Sequence, residues 1–74
     1  MIKIEVRYVN GDMSEFEEND SFISNLRNLE SKGLVGKALI DSLITDDWGV
    51  PPSGIIIKGK RSNGAVIKEV INYN

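Results

Sequence analysis

The stretch GLVGKALIDSLITDDWGVPPSGIIIKG, residues 33–59, decides the fold of this chain. It contains the most apolar helix candidate, the tryptophan, both prolines and a run of three isoleucines. Apolar residues recur at helical spacing over residues 35–46, which predicts a helix with a broad apolar face. The β-branched run at 55–57 predicts an interior strand that continues to about residue 60. The rest of the chain has to cover this helix and this strand.

A hairpin is predicted before this stretch. Residues 2–9 alternate between apolar and polar side chains, which is the pattern of a half-buried strand. Asn10-Gly11 then indicates a turn, because both residues tolerate a positive φ. A three-residue loop with Gly11 in the left-handed conformation places Phe16 on the same face as Ile4, whereas a two-residue loop would not. We therefore expect a bulged hairpin whose second strand covers about residues 12–17.

A first helix is predicted over residues 21–32. Asp20 or Ser21 is the expected N-cap, and apolar residues follow at helical spacing. Gly33 suits the position after the C-cap, and Leu34 would then contact Leu29 in a Schellman motif.

A second hairpin is predicted after the isoleucine run, and its register determines the faces of the sheet. If Asn63 and Gly64 are the two central turn residues, Lys58 lies opposite Glu69 and the last strand covers about residues 65–73. This register directs one apolar set toward the helices: Ile55, Ile57, Val66 and Val70. It leaves a second set on the opposite face: Ile56, Ile67, Ile71 and Tyr73, with Lys58, Lys60 and Glu69.

The order ββααββ predicts an α+β fold in one domain, residues 1–74, with both helices on one face of a four-stranded mixed sheet. The long connection between the hairpins favours the strand order 2-1-4-3. The start MIKIEV, the GVPP segment at 49–52 before the isoleucine-rich strand, and Gly59-Lys60 resemble ubiquitin-like, β-grasp domains over about a third of the chain. The second helix and the Tyr73-Asn74 end depart from that family, so conjugation to target proteins is not implied.

Composition excludes several kinds of chemistry. The chain has no cysteine and no histidine, so thiolate or imidazole metal sites and Ser-His or Cys-His nucleophiles are absent. Oxygen ligands at Asp41, Thr45, Asp46 and Asp47 lack the spacing of an EF-hand loop. We expect no metal, no cofactor and no catalysis. The absence of cysteine and of any long apolar run also leads us to expect a cytoplasmic protein with no membrane association.

The principal functional hypothesis is a small protein-interaction module, an adaptor or an inhibitor of a partner protein. Two helices cannot cover both faces of the sheet, so an apolar patch with a charged rim should remain open to another protein or to a second copy of this chain. Trp48 would be either a core residue or an exposed binding anchor. The predicted contact residues are Ile56, Lys58, Lys60, Ile67, Ile71, Tyr73 and Trp48.

A second hypothesis is binding of single-stranded nucleic acid. Gly33 and Gly36 form a GxxG between two predicted helices, which resembles the backbone-clamping loop of KH domains. Lys32 and Lys37 would supply the positive charge. Leu34 and Val35 stand where that family usually has a basic residue, and Ser31-Lys32 replace its aliphatic pair. The simpler interpretation is a glycine C-cap followed by a tight turn.

A third hypothesis uses the acidic run. Residues 12–20 contain five carboxylates and no base, within a chain of net charge −2. A small acidic protein of this kind could occupy a nucleic-acid site on a host protein. The segment from Glu15 to Asp20 would then make the contacts, and affinity would fall steeply with salt.

Overall fold

The computed structural model describes residues 1–44 and 51–73 of the chain. These residues form four strands and two helices in the predicted order ββααββ. The elements are β1 (Ile2–Tyr8), β2 (Met13–Glu18), α1 (Asp20–Ser31), α2 (Gly36–Leu43), β3 (Pro52–Lys60) and β4 (Val66–Asn72). The α+β class is therefore confirmed. Trp48, Asp46 and Asp47 lie outside the described residues, as does Thr45.

All four strands belong to one antiparallel sheet with the order β2-β1-β3-β4. The predicted order 2-1-4-3, and with it the mixed sheet expected from the β-grasp resemblance, is wrong. β1 pairs with β3 through Ile4 opposite Ile57, so the two most apolar strands lie side by side at the centre. β4 carries alternating polar residues and lies at an edge, where its outer side chains remain exposed.

The first hairpin confirms the predicted three-residue loop. Gly11 has a φ of 91°, and the N–H of Tyr8 donates to the carbonyl of Asp12 at 2.9 Å. Phe16 lies opposite Ile4 and packs against the core, as the register argument required.

The second hairpin has the same loop, which the sequence analysis did not predict. Gly64 has a φ of 88°, and the N–H of Arg61 donates to the carbonyl of Ala65 at 2.8 Å. The loop is therefore three residues long, and Lys58 lies opposite Lys68 instead of Glu69. Because side chains alternate along a strand, this shift of one residue exchanges the two faces of β4.

The helix boundaries follow from capping. Asn19 is the N-cap of α1, where its Oδ1 accepts a hydrogen bond of 2.9 Å from the N–H of Ser21, so the predicted cap at Asp20 or Ser21 is off by one or two residues. The Schellman end is confirmed, because the N–H of Gly33 donates to Glu30 and that of Leu34 to Leu29. α2 ends at Leu43, earlier than predicted, because Ile44 is already extended.

The core lies between the helices and one face of the sheet. β1 contributes every second residue from Ile2 to Tyr8, and β3 contributes Ile55 and Ile57. The helices cover this face with their buried residues Phe22, Ile23, Leu26, Leu39 and Ile40. Both helices therefore pack on one face, as predicted, and the opposite face of the sheet, called the open face below, is not covered by either of them. Within the described residues, neither helix has the length and apolar character needed to cross a bilayer.

Candidate interaction surface

The open face divides into an acidic side and a basic side. The strand registers place on it the side chains that alternate with the core residues. These are Met13, Glu15 and Glu17 on β2; Lys3, Glu5 and Arg7 on β1; Ile56, Lys58 and Lys60 on β3; and Val66, Lys68, Val70 and Asn72 on β4. The carboxylates are on β1 and β2, whereas β3 and β4 carry only cations among their charged side chains on this face.

The predicted contact residues do not share one face. Ile56, Lys58 and Lys60 lie on the open face as predicted. Ile67 and Ile71 face the helices and pack, half-buried, against the core. Tyr73, just beyond β4, packs against the same core. The prediction that these six residues form one surface is wrong, and the reason is the three-residue loop of the second hairpin, which reverses β4.

The cations of β1 are neutralised by neighbouring carboxylates. Nε of Arg7 donates to Oε2 of Glu5 at 3.0 Å, and Glu5 is buried between its neighbours on the two adjacent strands. Nζ of Lys3 lies 3.6 Å from Oε1 of Glu15. These pairs leave little unbalanced charge on the β1 side of the open face.

Lys58 has a different environment. It lies directly opposite Lys3 on one side and directly opposite Lys68 on the other, so three lysines form a row across three strands. Within residues 1–44 and 51–73, neither Lys58 nor Lys68 makes an ion pair. Like charges placed directly opposite each other destabilise a sheet. A local conflict of this kind is expected where a surface is selected for binding.

Apolar side chains surround the unpaired lysines. Val70 lies opposite Ile56 and is 61% exposed, and Val66 lies opposite Lys60 and is 78% exposed. Ile56 is half-buried. We call this surface the β3–β4 patch and define it as Ile56, Lys58, Lys60, Val66, Lys68 and Val70. It combines exposed apolar area with three lysines, none of which makes an ion pair within residues 1–44 and 51–73.

Val66, Lys68 and Val70 lie on the open face although the predicted register did not place them there. The signal that could have identified them is the repetition of Asn-Gly in both turns. Oδ1 of Asn10 accepts from the N–H of Asp12 at 3.0 Å, and Oδ1 of Asn63 accepts from the N–H of Ala65 at 2.9 Å. Had the loop of the first hairpin been assigned to the second as well, the correct face of β4 would have followed.

The GxxG turn lies between α1 and α2 as expected. Gly33 and Gly36 both have positive φ, and Val35 between them is 75% exposed. Lys37, however, does not project a free charge. Its Nζ lies 3.0 Å from Oδ2 of Asp41, and this contact raises the pKa of Lys37 and lowers the pKa of Asp41. Lys32 is exposed at the C-cap of α1. The unbalanced positive charge of the turn thus comes from Lys32.

Lys37 and Asp41 also contact Tyr73. The Tyr73 hydroxyl donates to Oδ1 of Asp41 at 3.1 Å, and Nζ of Lys37 lies 5.6 Å from the centre of the Tyr73 ring. Tyr73 therefore joins α2 to the end of the sheet. These contacts account for its half-buried position without a partner.

The acidic run does not form one surface. Glu15 and Glu17 lie on the open face, whereas Phe16 and Glu18 face the helices. Asp20 accepts hydrogen bonds from Ser62, with its Oδ2 at 2.6 Å from the hydroxyl Oγ, and this bond is the main cause of its lowered pKa. The carboxylates of Glu15, Glu17, Glu18 and Asp20 thus point in different directions.

The described part of the open face has one hollow whose size can be compared with that of a ligand pocket. A shallow hollow of about 280 Å³ is lined by Met1, Lys3, Glu17, Lys58 and Gly59. Pockets for drug-sized ligands are generally about 300–1,000 Å³ and largely enclosed. In the part of the chain that the structure describes, no three acidic side chains come close enough together to hold a metal ion.

Comparison with protein-family models, with curated proteins and with solved structures gives no match for this chain.

Proposed function

We propose that the chain is a non-catalytic protein-interaction module whose β3–β4 patch binds an acidic surface of another protein. The observation that carries this proposal is the row of three lysines, in which Lys58 lies opposite Lys3, whose charge is offset by Glu15, and opposite Lys68, which makes no ion pair within residues 1–44 and 51–73. Carboxylates from a partner would relieve this repulsion at the moment of binding. The module would act as an adaptor or as an inhibitor, according to what the partner does once bound.

The apolar part of the patch favours a protein partner. Val66 and Val70 are largely exposed on either side of Lys68, and Ile56 lies between the lysines and the centre of the sheet. An interface with an apolar centre and a charged rim is typical of protein–protein recognition. The charges provide steering and specificity, and the buried apolar area provides much of the affinity.

Nucleic acid suits the open face less well. Sequence-tolerant binding of single strands relies on exposed aromatic rings that stack on bases. Within residues 1–44 and 51–73, the aromatic side chains are those of Tyr8, Phe16, Phe22 and Tyr73, and all four pack in or against the core between sheet and helices. The carboxylates of Glu15 and Glu17 on the open face would also repel phosphates. The KH-like alternative through Gly33 and Gly36 stays open, but its charge depends on Lys32.

Two charge-reversal variants distinguish these hypotheses. Lys58→Glu with Lys68→Glu inverts the patch, and Lys32→Glu changes an exposed lysine beside the GxxG turn. Proteins captured from the source cells by the unmodified chain would be identified by mass spectrometry. Each would then be purified and titrated by calorimetry against all three forms at low and high salt.

We expect the patch variant to bind the acidic partner at least about tenfold more weakly, which corresponds to roughly 1.4 kcal/mol. We expect Lys32→Glu to bind normally and the affinity of the unmodified chain to fall with added salt. Unchanged binding by the patch variant would refute the proposal. Salt-sensitive binding of a mixed single-stranded oligonucleotide, lost in Lys32→Glu but kept in the patch variant, would support the KH-like alternative instead.

A further inference from the structure

β4 is an edge strand, and half of its backbone points away from the sheet. At one end of its ladder with β3, the N–H of Arg61 donates a hydrogen bond of 2.8 Å to the carbonyl of Ala65. At the other end, the N–H of Tyr73 donates one of 3.0 Å to the carbonyl of Ser53. The register between these bonds is continuous. Hydrogen bonding alternates along an antiparallel strand, so the odd-numbered residues of β4 bond to β3. The even-numbered ones direct their N–H and C=O groups outward: Val66, Lys68, Val70 and Asn72.

The two edges of the sheet differ in how they are protected against further pairing. β2 is six residues long, and the side chains of its outward-bonding residues include Glu15 and Glu17. Charged side chains on a short edge strand discourage the addition of another strand. β4 is seven residues long, contains no proline, and has apolar residues on both faces: Val66 and Val70 on one, Ile67 and Ile71 on the other. Its outward-bonding residues include one charge, Lys68.

We propose that β4 accepts a fifth strand from an extended segment of a partner protein, in which a carboxylate lies opposite Lys68 and apolar residues lie two positions to either side. The outward backbone groups would supply the hydrogen bonds and the alternating side chains the specificity. A carboxylate opposite Lys68 would also lie near Lys58, its cross-strand neighbour. The flanking apolar residues would cover Val66 and Val70, which are 78% and 61% exposed.

A second copy of this chain fits the edge less well. Two β4 strands can pair antiparallel about a two-fold axis at Lys68, at Glu69 or at Val70. The first two choices place identical charges opposite each other, and like charges in that position are destabilising. The third pairs residues 68–72 of the two copies and leaves Val66 and Ile67 of each β4 beyond the end of the partner strand, so the exposed Val66 stays uncovered. Pairing of β4 with β2 of another copy would be a heterologous contact, which leaves a free β4 at the end of the assembly unless the copies close into a ring.

The proposal deepens the proposed function and rests on it for the acidic charge of the partner segment. The extended conformation of that segment is inferred independently, from the outward backbone groups of β4. The probe is a blocked synthetic peptide, Thr-Val-Thr-Glu-Thr-Val-Thr, added to the isotope-labelled chain and followed by NMR. We expect slower amide exchange at Val66, Lys68 and Val70 and little change at Ile67 and Glu69, whose N–H groups already bond to β3. If amide exchange slowed equally at the even-numbered and odd-numbered residues of β4, the proposal of strand addition would be overturned.

Two variants at one position test the backbone contact. Val70→Pro removes an outward N–H, and proline is tolerated on edge strands when its nitrogen faces solvent. Val70→Thr keeps the N–H and the β-branched shape. We expect the proline variant to bind the peptide at least about tenfold more weakly than the threonine variant, because it loses a hydrogen bond and blocks the ladder. Equal binding would overturn the proposal, and the exchange pattern decides the question if the proline variant fails to fold.

Two further measurements test the charge of the bound segment and whether it comes from another protein or from a second copy of this chain. A peptide with lysine in place of its glutamate should bind at least about tenfold more weakly, and equal binding would refute the acidic segment. A mass in solution that rises with concentration and falls back in Val70→Pro would show that a second copy occupies the edge, which overturns the proposed partner. An acidic partner lost in the Lys58→Glu and Lys68→Glu variant but retained in Val70→Pro would dock on the face without adding a strand.

Discussion

The guanidinium of Arg27 on α1 donates a hydrogen bond of 2.5 Å to Oε1 of Glu69 on β4. Arg27 also donates to Oε1 of Glu30, one turn along its own helix, at 2.8 Å. The first bond connects the helix layer to the edge strand, and the second lies within the helix. Glu69 can make the first bond because the three-residue turn directs it toward the helices.

We expect the pair between Arg27 and Glu69 to contribute about 0.2–1 kcal/mol, because both side chains remain partly exposed. A double-mutant cycle with Arg27→Met and Glu69→Gln, measured by urea unfolding, gives the coupling free energy. A second cycle with Glu30→Gln is the reference for a pair within one helix. A coupling that persists at about 1 M salt would contradict a surface ion pair.

Lys58→Glu should stabilise the free chain. The substitution replaces two like-charged cross-strand contacts, with Lys3 and Lys68, by attractive ones, worth about 0.2–1 kcal/mol. The matched control is Lys60→Glu, which makes the same charge change opposite Val66, and its effect should stay within about 0.5 kcal/mol. Urea unfolding of the three proteins at low salt measures the difference. A destabilising Lys58→Glu would mean that the lysine row is not strained.

Ile71→Lys and Val70→Lys are adjacent substitutions that should differ strongly. Ile71 packs against the core, so a lysine there should cost about 1–3 kcal/mol through lost burial and an unpaired charge. Val70 is exposed on the open face, and its replacement should change the free energy of unfolding by no more than about 0.5 kcal/mol. Thermal unfolding followed by circular dichroism compares the two. If Val70→Lys were the more destabilising of the two, Val70 would face the helices and Ile71 the open face, as predicted from the sequence.

Gly59→Ala should be more costly than Gly64→Ala. Both glycines have positive φ, at 142° and 88°, so both substitutions introduce backbone strain. A Cβ at Gly59 would also lie 2.7 Å from the carbonyl oxygen of Met1, whereas a Cβ at Gly64 meets open space. Backbone strain alone costs about 1–3 kcal/mol, and the clash should add to it. Equal losses of stability would show that β1 can shift away.

Stability should fall in acid partly through Asp20. Its pKa is lowered by the hydrogen bond from Ser62, so its carboxylate form is favoured in the folded state. That contribution is present above the ordinary pKa of an aspartate and is lost as the pH falls through the lowered value. Asp20→Asn should therefore be less stable than the unmodified chain at neutral pH and approach it as the pH falls below the lowered pKa of Asp20.

Urea midpoints between neutral and acid pH measure this dependence. In a Ser62→Ala background, the difference in urea midpoint between the chain with Asp20 and Asp20→Asn should be smaller. The reason is that Ser62→Ala removes the main hydrogen bond to the carboxylate. Ser24→Ala, an exposed serine on the same helix, should leave the pH dependence unchanged. If the urea midpoints of the unmodified chain and of Asp20→Asn differed by the same amount at all pH values, the titration of Asp20 would be excluded as the cause of the acid dependence.

Local features of this fold could be predicted from the residues alone. Gly33 and Leu34 specify the end of α1, because a left-handed glycine followed by an apolar residue forms a Schellman motif. The first hairpin could be assigned because Phe16 is the one large apolar residue in the second half of β2, so it had to reach the core.

For the second hairpin, no single residue distinguished the two possible registers. Val66 and Val70 alternate with Ile67 and Ile71, so both faces of β4 are apolar and either register buries two large side chains. The length of the loop alone decides between them. For this reason the residues of β3 on the open face could be predicted from the sequence, whereas those of β4 were assigned to the wrong face.

The strand order depends on contacts that no local pattern reports. β1 and β3 are far apart in the sequence and meet through Ile4 and Ile57. The long helical connection was compatible with either β3 or β4 beside β1. Burial of the isoleucine run on one face selects β3 for the centre, while Lys68 and the alternating polar residues of β4 suit an edge.

The pairing of β1 with β3 also has a consequence for how the chain folds. Each hairpin closes over a short loop and can form early, as can the two helices with their adjacent turn. The contacts between Ile4 and Ile57 instead close a loop that contains most of the chain, and that closure costs entropy before the core is complete. We infer that the joining of the two hairpins at this central seam limits the folding rate. Until it occurs, each hairpin exposes a second unpaired edge, and chaperones or proteases would compete for the chain at that stage.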